Sequence, residues 1–267
     1  MNKYKAVVCD LDGTLLNSNH KISDYTRRVI KRIIQKGIKV IIATGRHYKD
    51  AIHYKDILEC ESYLIALNGA VILDEDNEII RTCTIPCKYG DKLLDFPRDK
   101  DIFMNISQGE NWYSSKLREQ DKKFINESGF TQEVVECFDK AKGKEISKVF
   151  YMCDDLNKIQ CLENKLHESF GKNLNITSSF PQCIEVMAED ANKGNAIKEI
   201  LKDINCSEEE VVAFGDGLND YEMLSVAGKG FIMENANPKL KEMLPECEVI
   251  GNNNEDAIGI HLAKLFL

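Results

Sequence analysis

The stretch Ala6-Val7-Val8-Cys9-Asp10-Leu11-Asp12-Gly13-Thr14 carries an apolar run straight into two carboxylates, one residue apart, and a glycine. A run without polar alternation suits a strand covered on both faces, as in a parallel sheet. Charged side chains are seldom buried unless they are paired or hold a metal, so two of them at the end of such a strand point to a site. A turn accounts for Asp12-Gly13. It does not account for Asp10, because Asp is depleted in strands. A calcium loop of the EF-hand type fails, since Leu15 stands where that loop needs its glycine.

Working outward, Ser23 caps a helix whose residues Val29, Ile30, Ile33 and Ile34 share one face, with Gly37 as its stop. Strands are expected over Ile38 to Ala43 and Tyr63 to Leu67, with a helix from His47 to Leu58 between them. Asn68-Gly69 reads as a tight turn into Ala70 to Leu73, followed by a hairpin that returns over Glu78 to Thr82. Alternating strands and helices predict a doubly wound parallel sheet. From residue 85 to 186 the pattern changes to helices near Lys88 to Leu94, Leu117 to Glu127 and Leu156 to Phe170, mixed with short strands. About a hundred residues suffice for a separate core. The expected organisation is therefore a discontinuous α/β Rossmann-like core over 1–84 and 187–267, with an inserted α+β cap domain over 85–186. The first pattern resumes with a helix at Lys193, a strand over Val211 to Phe214, and further helices to about Leu265.

The formal net charge of -9 disfavours nucleic acid as the main partner, because that affinity rests on clustered Lys and Arg. No apolar run approaches the roughly 20 residues of a membrane span, and the N-terminus lacks the core of a signal peptide. The expected location is cytoplasmic, with a monomer as the default. The ten cysteines are scattered, without zinc-site spacing, and read as reduced thiols.

Four punctuated element ends stand out: Asp10 to Thr14, Thr44-Gly45-Arg46, Lys193-Gly194 and Gly215-Asp216-Gly217-Leu218-Asn219-Asp220. Ligands of an open α/β sheet bind beyond the carboxyl ends of its strands, so these distant segments can converge. Asp10, Asp12 and Asp216 offer the hard oxygens that Mg²⁺ prefers. Lys193 brings a positive charge for a phosphoryl group, and the Thr44 hydroxyl and the amides from Leu11 to Gly13 can donate to phosphate oxygens.

Together these four motifs resemble those of the haloacid dehalogenase superfamily, and the insert between the second and third resembles the Cof-type, sugar-phosphatase-like branch with a large α/β cap. Asn68-Gly69-Ala70 resembles the segment that precedes such caps. The resemblance implies a Mg²⁺-dependent phosphatase of small phosphorylated metabolites, sugar phosphates among them, acting through an aspartyl phosphate. It implies Asp10 as nucleophile, Asp12 as general acid and then base, and Lys193 as charge stabiliser. Asp216 would anchor the metal, with Asn219 at the substrate and Asp220 in support. Thr44, Gly45 and Arg46 would contact phosphate or substrate. One departure is the acidic segment Val186 to Asn192, which lacks a glycine often found there. Two alternatives stay open: a phosphohexomutase using the same aspartyl phosphate, and a non-catalytic metabolite-binding regulator. A nucleotide P-loop and a thiolate phosphatase are excluded by the absence of Gly-x-x-x-x-Gly-Lys-Ser/Thr and of Cys-x₅-Arg.

Overall fold

A computed structural model describes residues 3–117 and 128–267. The chain opens with β1 (Ala6–Asp10), α1 (Asp24–Gln35), β2 (Lys39–Ala43), α2 (Tyr48–Leu58), β3 (Tyr63–Ala66), β4 (Val71–Leu73) and β5 (Ile79–Thr82). It continues through α3 (Cys87–Leu94), β6 (Phe103–Gln108), β7 (Asn111–Ser114), β8 (Glu133–Val134), β9 (Lys148–Met152), α4 (Leu156–Phe170), β10 (Leu174–Thr177) and β11 (Cys183–Ala188). It closes with α5 (Lys193–Asp203), β12 (Val211–Gly215), α6 (Tyr221–Val226), β13 (Lys229–Met233), α7 (Pro238–Met243), β14 (Glu248–Ile250) and α8 (Ala257–Phe266). The helix expected over Leu117 to Glu127 lies outside the described residues beyond Leu117.

The first and last groups of strands form an eight-stranded sheet in the order β14-β13-β12-β1-β2-β3-β4-β5. It is parallel from β14 to β3, and β4 and β5 add antiparallel at one edge. β1 is buried along its whole length, as its unalternated sequence requires. The chain steps from β1 to β2 and β3 on one side, then returns to β12 on the other, so the winding reverses between β1 and β12. α1 follows its sequence signals: the Ser23 hydroxyl accepts the Thr26 amide, the apolar face is buried, and Gly37 takes φ +84°.

The six remaining strands make a second sheet, β10-β11-β9-β6-β7-β8, antiparallel apart from the β7–β8 pair. Each sheet has its own hydrophobic cluster, one around Val7, Ile41 and Phe214 and the other around Met104, Tyr151 and Leu166. β3 stops one residue earlier than its sequence suggested. Leu67 and Asn68 both take positive φ (50° and 55°) in a 3₁₀ turn before β4. β8 and β14 were not anticipated; each is two or three residues long and mostly exposed, so neither carries an apolar run to announce it.

Candidate active site

β1 delivers Asp10 as its last residue, and its parallel registers set Asp10 beside Ala43 of β2 and Cys9 beside Phe214 of β12. The residues that follow those two partners, Thr44 and Gly215-Asp216, therefore emerge at the same sheet edge as Asp10. The winding reversal leaves a crevice at that edge. The chain turns there through Gly13, at φ +81°, where any side chain would collide with the Asp216 carboxylate.

Lys193, the first residue of α5, is fully buried and joins two carboxylates: its Nζ donates to Asp10 Oδ1 at 2.6 Å and to Asp220 Oδ1 at 2.7 Å. The second oxygen of Asp220 accepts the Asp216 and Gly217 amides at 2.9 and 2.8 Å. Asp220 thus holds Lys193 with one oxygen and shapes the loop after β12 with the other. Thr14 donates its hydroxyl to Asp216 Oδ1 at 2.7 Å. Carboxylate oxygens of Asp10, Asp216 and Asp220 lie within 4.8 Å of one another.

One ammonium cannot neutralise three carboxylates. Burial, then the neighbouring Asp220, push Asp10 well above the usual carboxylate range, and the same causes push Asp216 up to about 7. The Lys193 ammonium is held charged by its two partners against the penalty of its burial. A compact set of hard oxygen donors short of positive charge fits a divalent cation of the Mg²⁺ kind.

Asp12 stands apart from this group. Its side chain is 43% exposed, and its two oxygens accept a bidentate pair from Arg46 Nε and Nη2 at 2.7 and 2.6 Å. Partial desolvation opposes its ionisation, yet the guanidinium outweighs that and holds the carboxyl below its ordinary value. Arg46 is itself fixed by Asp50 at 2.9 Å and the Tyr54 hydroxyl at 3.1 Å. Thr44 is buried, and its hydroxyl oxygen accepts the Arg46 amide at 3.1 Å. Asp10, Asp12, Gly13, Gly45, Arg46, Asp216, Asn219 and Asp220 all line one cleft of about 690 Å³. Leu11, Thr44 and Lys193 are buried and do not line it.

The opposite wall belongs to the second sheet and includes residues that sequence reasoning passed over. Asn219 donates to Asn68 Oδ1 at 3.0 Å, and Asn68 donates to Glu185 Oε2 at 3.0 Å. Glu185 also accepts from the Ser179 hydroxyl and pairs at 2.6 Å with Lys148, whose Nζ reaches the Gly45 carbonyl at 2.5 Å. A continuous polar chain thus runs from the loop after β12, across the second sheet, to the turn after β2. Glu185 and Lys148 are buried side chains at 4% and 5% exposure. Desolvation opposes the charge on Glu185, and Lys148 outweighs it, so the carboxyl stays below its ordinary value. A lone carboxylate inside the apolar run Cys183 to Met187 is the signal that singled out Asp10, and it identifies Glu185 equally well. Replacing Glu185 by Gln leaves the Lys148 charge buried without its counter-ion. The expected loss is about 3–5 kcal/mol of stability, read as a lower denaturant midpoint.

The sequence model of the family described as haloacid dehalogenase-like hydrolase matches residues 7–262. The chain is 36% identical over 264 residues, 98% of each chain, to a protein of Buchnera aphidicola subsp. Baizongia pistaciae that bears a provisional phosphatase name. It is 30% identical over 262 residues to the HMP-PP phosphatase of Serratia proteamaculans, covering 97% of this chain and 94% of that one. Among solved structures, a sugar phosphatase of HAD subclass IIB superposes with a TM-score of 0.84 at 25% identity, over 97% of this chain and 98% of the other.

Proposed function

The chain belongs to the haloacid dehalogenase-like hydrolases and is a phosphatase of that family, and from that premise we propose that it hydrolyses small phosphate monoesters, Mg²⁺-dependently, through a phosphoryl group carried on Asp10. A sugar phosphate is the ester class that its resemblance and one structural neighbour suggest. The observation that carries the reading is a buried carboxylate, Asp10, at the end of the central strand, held by Lys193 and opening on a cleft. In the same reading, residues 85–186 act as the cap over a core of 1–84 and 187–267.

Asp10, Asp216 and Asp220 are the side chains that group around the cation position, while Asp12, whose carboxylate is taken by Arg46, is the next acidic residue beside them. Bound there, the cation supplies positive charge that offsets repulsion between Asp10 and a phosphate dianion. Lys193 fixes the Asp10 carboxylate by one oxygen and leaves the other to attack phosphorus. As that P–O bond forms, the bond from phosphorus to the ester oxygen breaks, and Asp12 gives the leaving oxygen its proton. Water then attacks the phosphorus of the acyl phosphate, Asp12 takes its proton, and Asp10 is regenerated as inorganic phosphate departs. The bidentate pair with Arg46 keeps Asp12 ionised, so it must open and Asp12 must take a proton from solvent before the first transfer; the water step then returns that proton to it. Arg46 then has a guanidinium to offer to the ester oxygens.

The reading is tested by phosphate release from a simple monoester: release that requires Mg²⁺ and stops on chelation supports it, and release indifferent to Mg²⁺ contradicts it. A second readout concerns stability. Asp216 is pushed from 3.8 to about 7, so the folded chain holds this proton more tightly than the unfolded one. Without cation, that contribution to stability is lost as pH rises between those two values. A cation that takes the proton's place should raise the melting temperature more at about pH 8 than at about pH 5. An equal rise at both would argue against Asp216 as a ligand.

A further inference from the structure

Two rings of the second sheet, with Phe130 before β8 and His47 from the turn after β2, make an aromatic row that is part of neither hydrophobic cluster. His47, Phe130, Trp112 and Phe150 form a row: His47 stacks on Phe130 at 4.5 Å and 22°, Phe130 lies 6.2 Å from Trp112 at 28°, and Trp112 lies 6.1 Å from Phe150 at 39°. Strand alternation explains the placement. On β9, Val149 and Tyr151 point into the hydrophobic cluster, while Lys148, Phe150 and Met152 line the cleft. On β7, Tyr113 packs against the same cluster and Trp112 lines the cleft. Trp112, Phe130 and Phe150 belong to neither hydrophobic cluster and are only partly buried. Three large rings left facing a cleft of about 690 Å³ are apolar surface kept for something that enters it.

Several polar groups on this wall already have partners, although Ser107 and Gln182 also line it. The Trp112 indole N–H donates to Asn105 Oδ1 at 3.1 Å, Lys148 pairs with Glu185, and His47 Nε2 lies 3.2 Å from the Gly109 carbonyl. Burial lowers the His47 pKa to about 4, so its ring is neutral and stacks as an aromatic. A sugar needs polar partners for several hydroxyls. A flat ring needs what this wall offers, faces to stack on, with Lys148 backing the Phe150 ring at 4.9 Å from its centroid.

We propose that the aromatic row of Phe130, Trp112 and Phe150 is the leaving-group subsite of the cleft, and that it selects monoesters whose alcohol carries a planar aromatic or heteroaromatic ring over those of sugars. This rests on the phosphatase reading above and narrows it. The phosphate end of the ester meets Asp10 and the cation position, and the ring lies against the second sheet.

Trp112 is the single tryptophan of the chain, so its fluorescence reports the subsite directly. The Asp10→Asn variant, with Mg²⁺ present, is titrated with benzyl phosphate, cyclohexylmethyl phosphate and glucose 6-phosphate. The first two share charge and alcohol class and differ in the flatness of the ring. Benzyl phosphate should change the emission saturably and bind about tenfold more tightly than either of the others. Phe150→Leu should erase most of that advantage while leaving the affinity for cyclohexylmethyl phosphate within about twofold. Equal or tighter binding of the saturated ring or the sugar overturns the proposal, as does a Phe150→Leu effect common to all three. Phosphate release by the unmodified enzyme separates the two readings. Preferential binding of benzyl phosphate without release from any ester sinks the hydrolysis and leaves the subsite standing. Release from glucose 6-phosphate, with no preference for the flat ring, does the reverse.

Discussion

Replacing Asp10 by Asn should lower kcat by at least about 10⁴-fold while leaving the folded structure intact, because the attacking oxygen is lost and nothing nearby can replace it. Asn is the same size as Asp and keeps one oxygen to accept from Lys193, so the buried contact at 2.6 Å has a successor. The change also removes a carboxyl whose burial and neighbouring Asp220 already oppose its charge. Its loss should cost little stability without cation, and melting should move by no more than a few degrees. A variant that kept even a hundredth of the turnover would relocate the nucleophile. Asp12 is no candidate for that position, since it lies outside the cluster around Lys193.

Lys193→Met should damage both stability and turnover, and the two effects can be separated. The ammonium is fully buried between Asp10 and Asp220, so its removal leaves two buried carboxylates unpaired, at a cost of about 3–5 kcal/mol. Turnover should fall by about 10²–10³-fold, the loss typical of one preorganised donor, because Lys193 orients the attacking Asp10 carboxylate. Adding Asp220→Asn to Lys193→Met removes one of the orphaned charges. Its side-chain oxygen can still accept the Asp216 and Gly217 amides that now bind at 2.9 and 2.8 Å. The double variant should therefore regain much of the stability and none of the activity. If activity returned with stability, Lys193 would be structural only.

The core was legible because its strands are buried on both faces and say so in unbroken apolar runs, and the site because one of them ends in a carboxylate that a turn does not explain while the others end in residues that tell only in company. Asp10 after Cys9 carried that signal alone, Thr44 after Ala43 and Asp216 after Gly215 only jointly with it, and the parallel registers bring the three to one edge. Asp220 was legible only as a helper, and the hydrogen bonds explain its part: it organises the loop with one oxygen and holds Lys193 with the other. The partnership of Asp12 with Arg46 was not legible. It depends on the angle at which two turns leave neighbouring strands, which no spacing encodes. The Asn219–Asn68–Glu185–Lys148 chain was hidden for a similar reason, since its members lie 117 and 151 residues apart across two sheets. Glu185 alone carried a local signal. The aromatic face was hidden by alternation: in Val149-Phe150-Tyr151 every residue reads as core until the sheet shows which side Phe150 takes.

The covalent role of Asp10 is tested most directly by trapping. The enzyme is mixed with Mg²⁺ and a monoester, quenched in acid within the first turnover or treated with borohydride, and mapped by peptide mass spectrometry. A phosphoryl adduct, or its reduced alcohol, on the peptide that contains Asp10 and absent from Asp10→Asn is the expected result. An adduct on another residue, or phosphate released in the first turnover with neither product at Asp10, would contradict it.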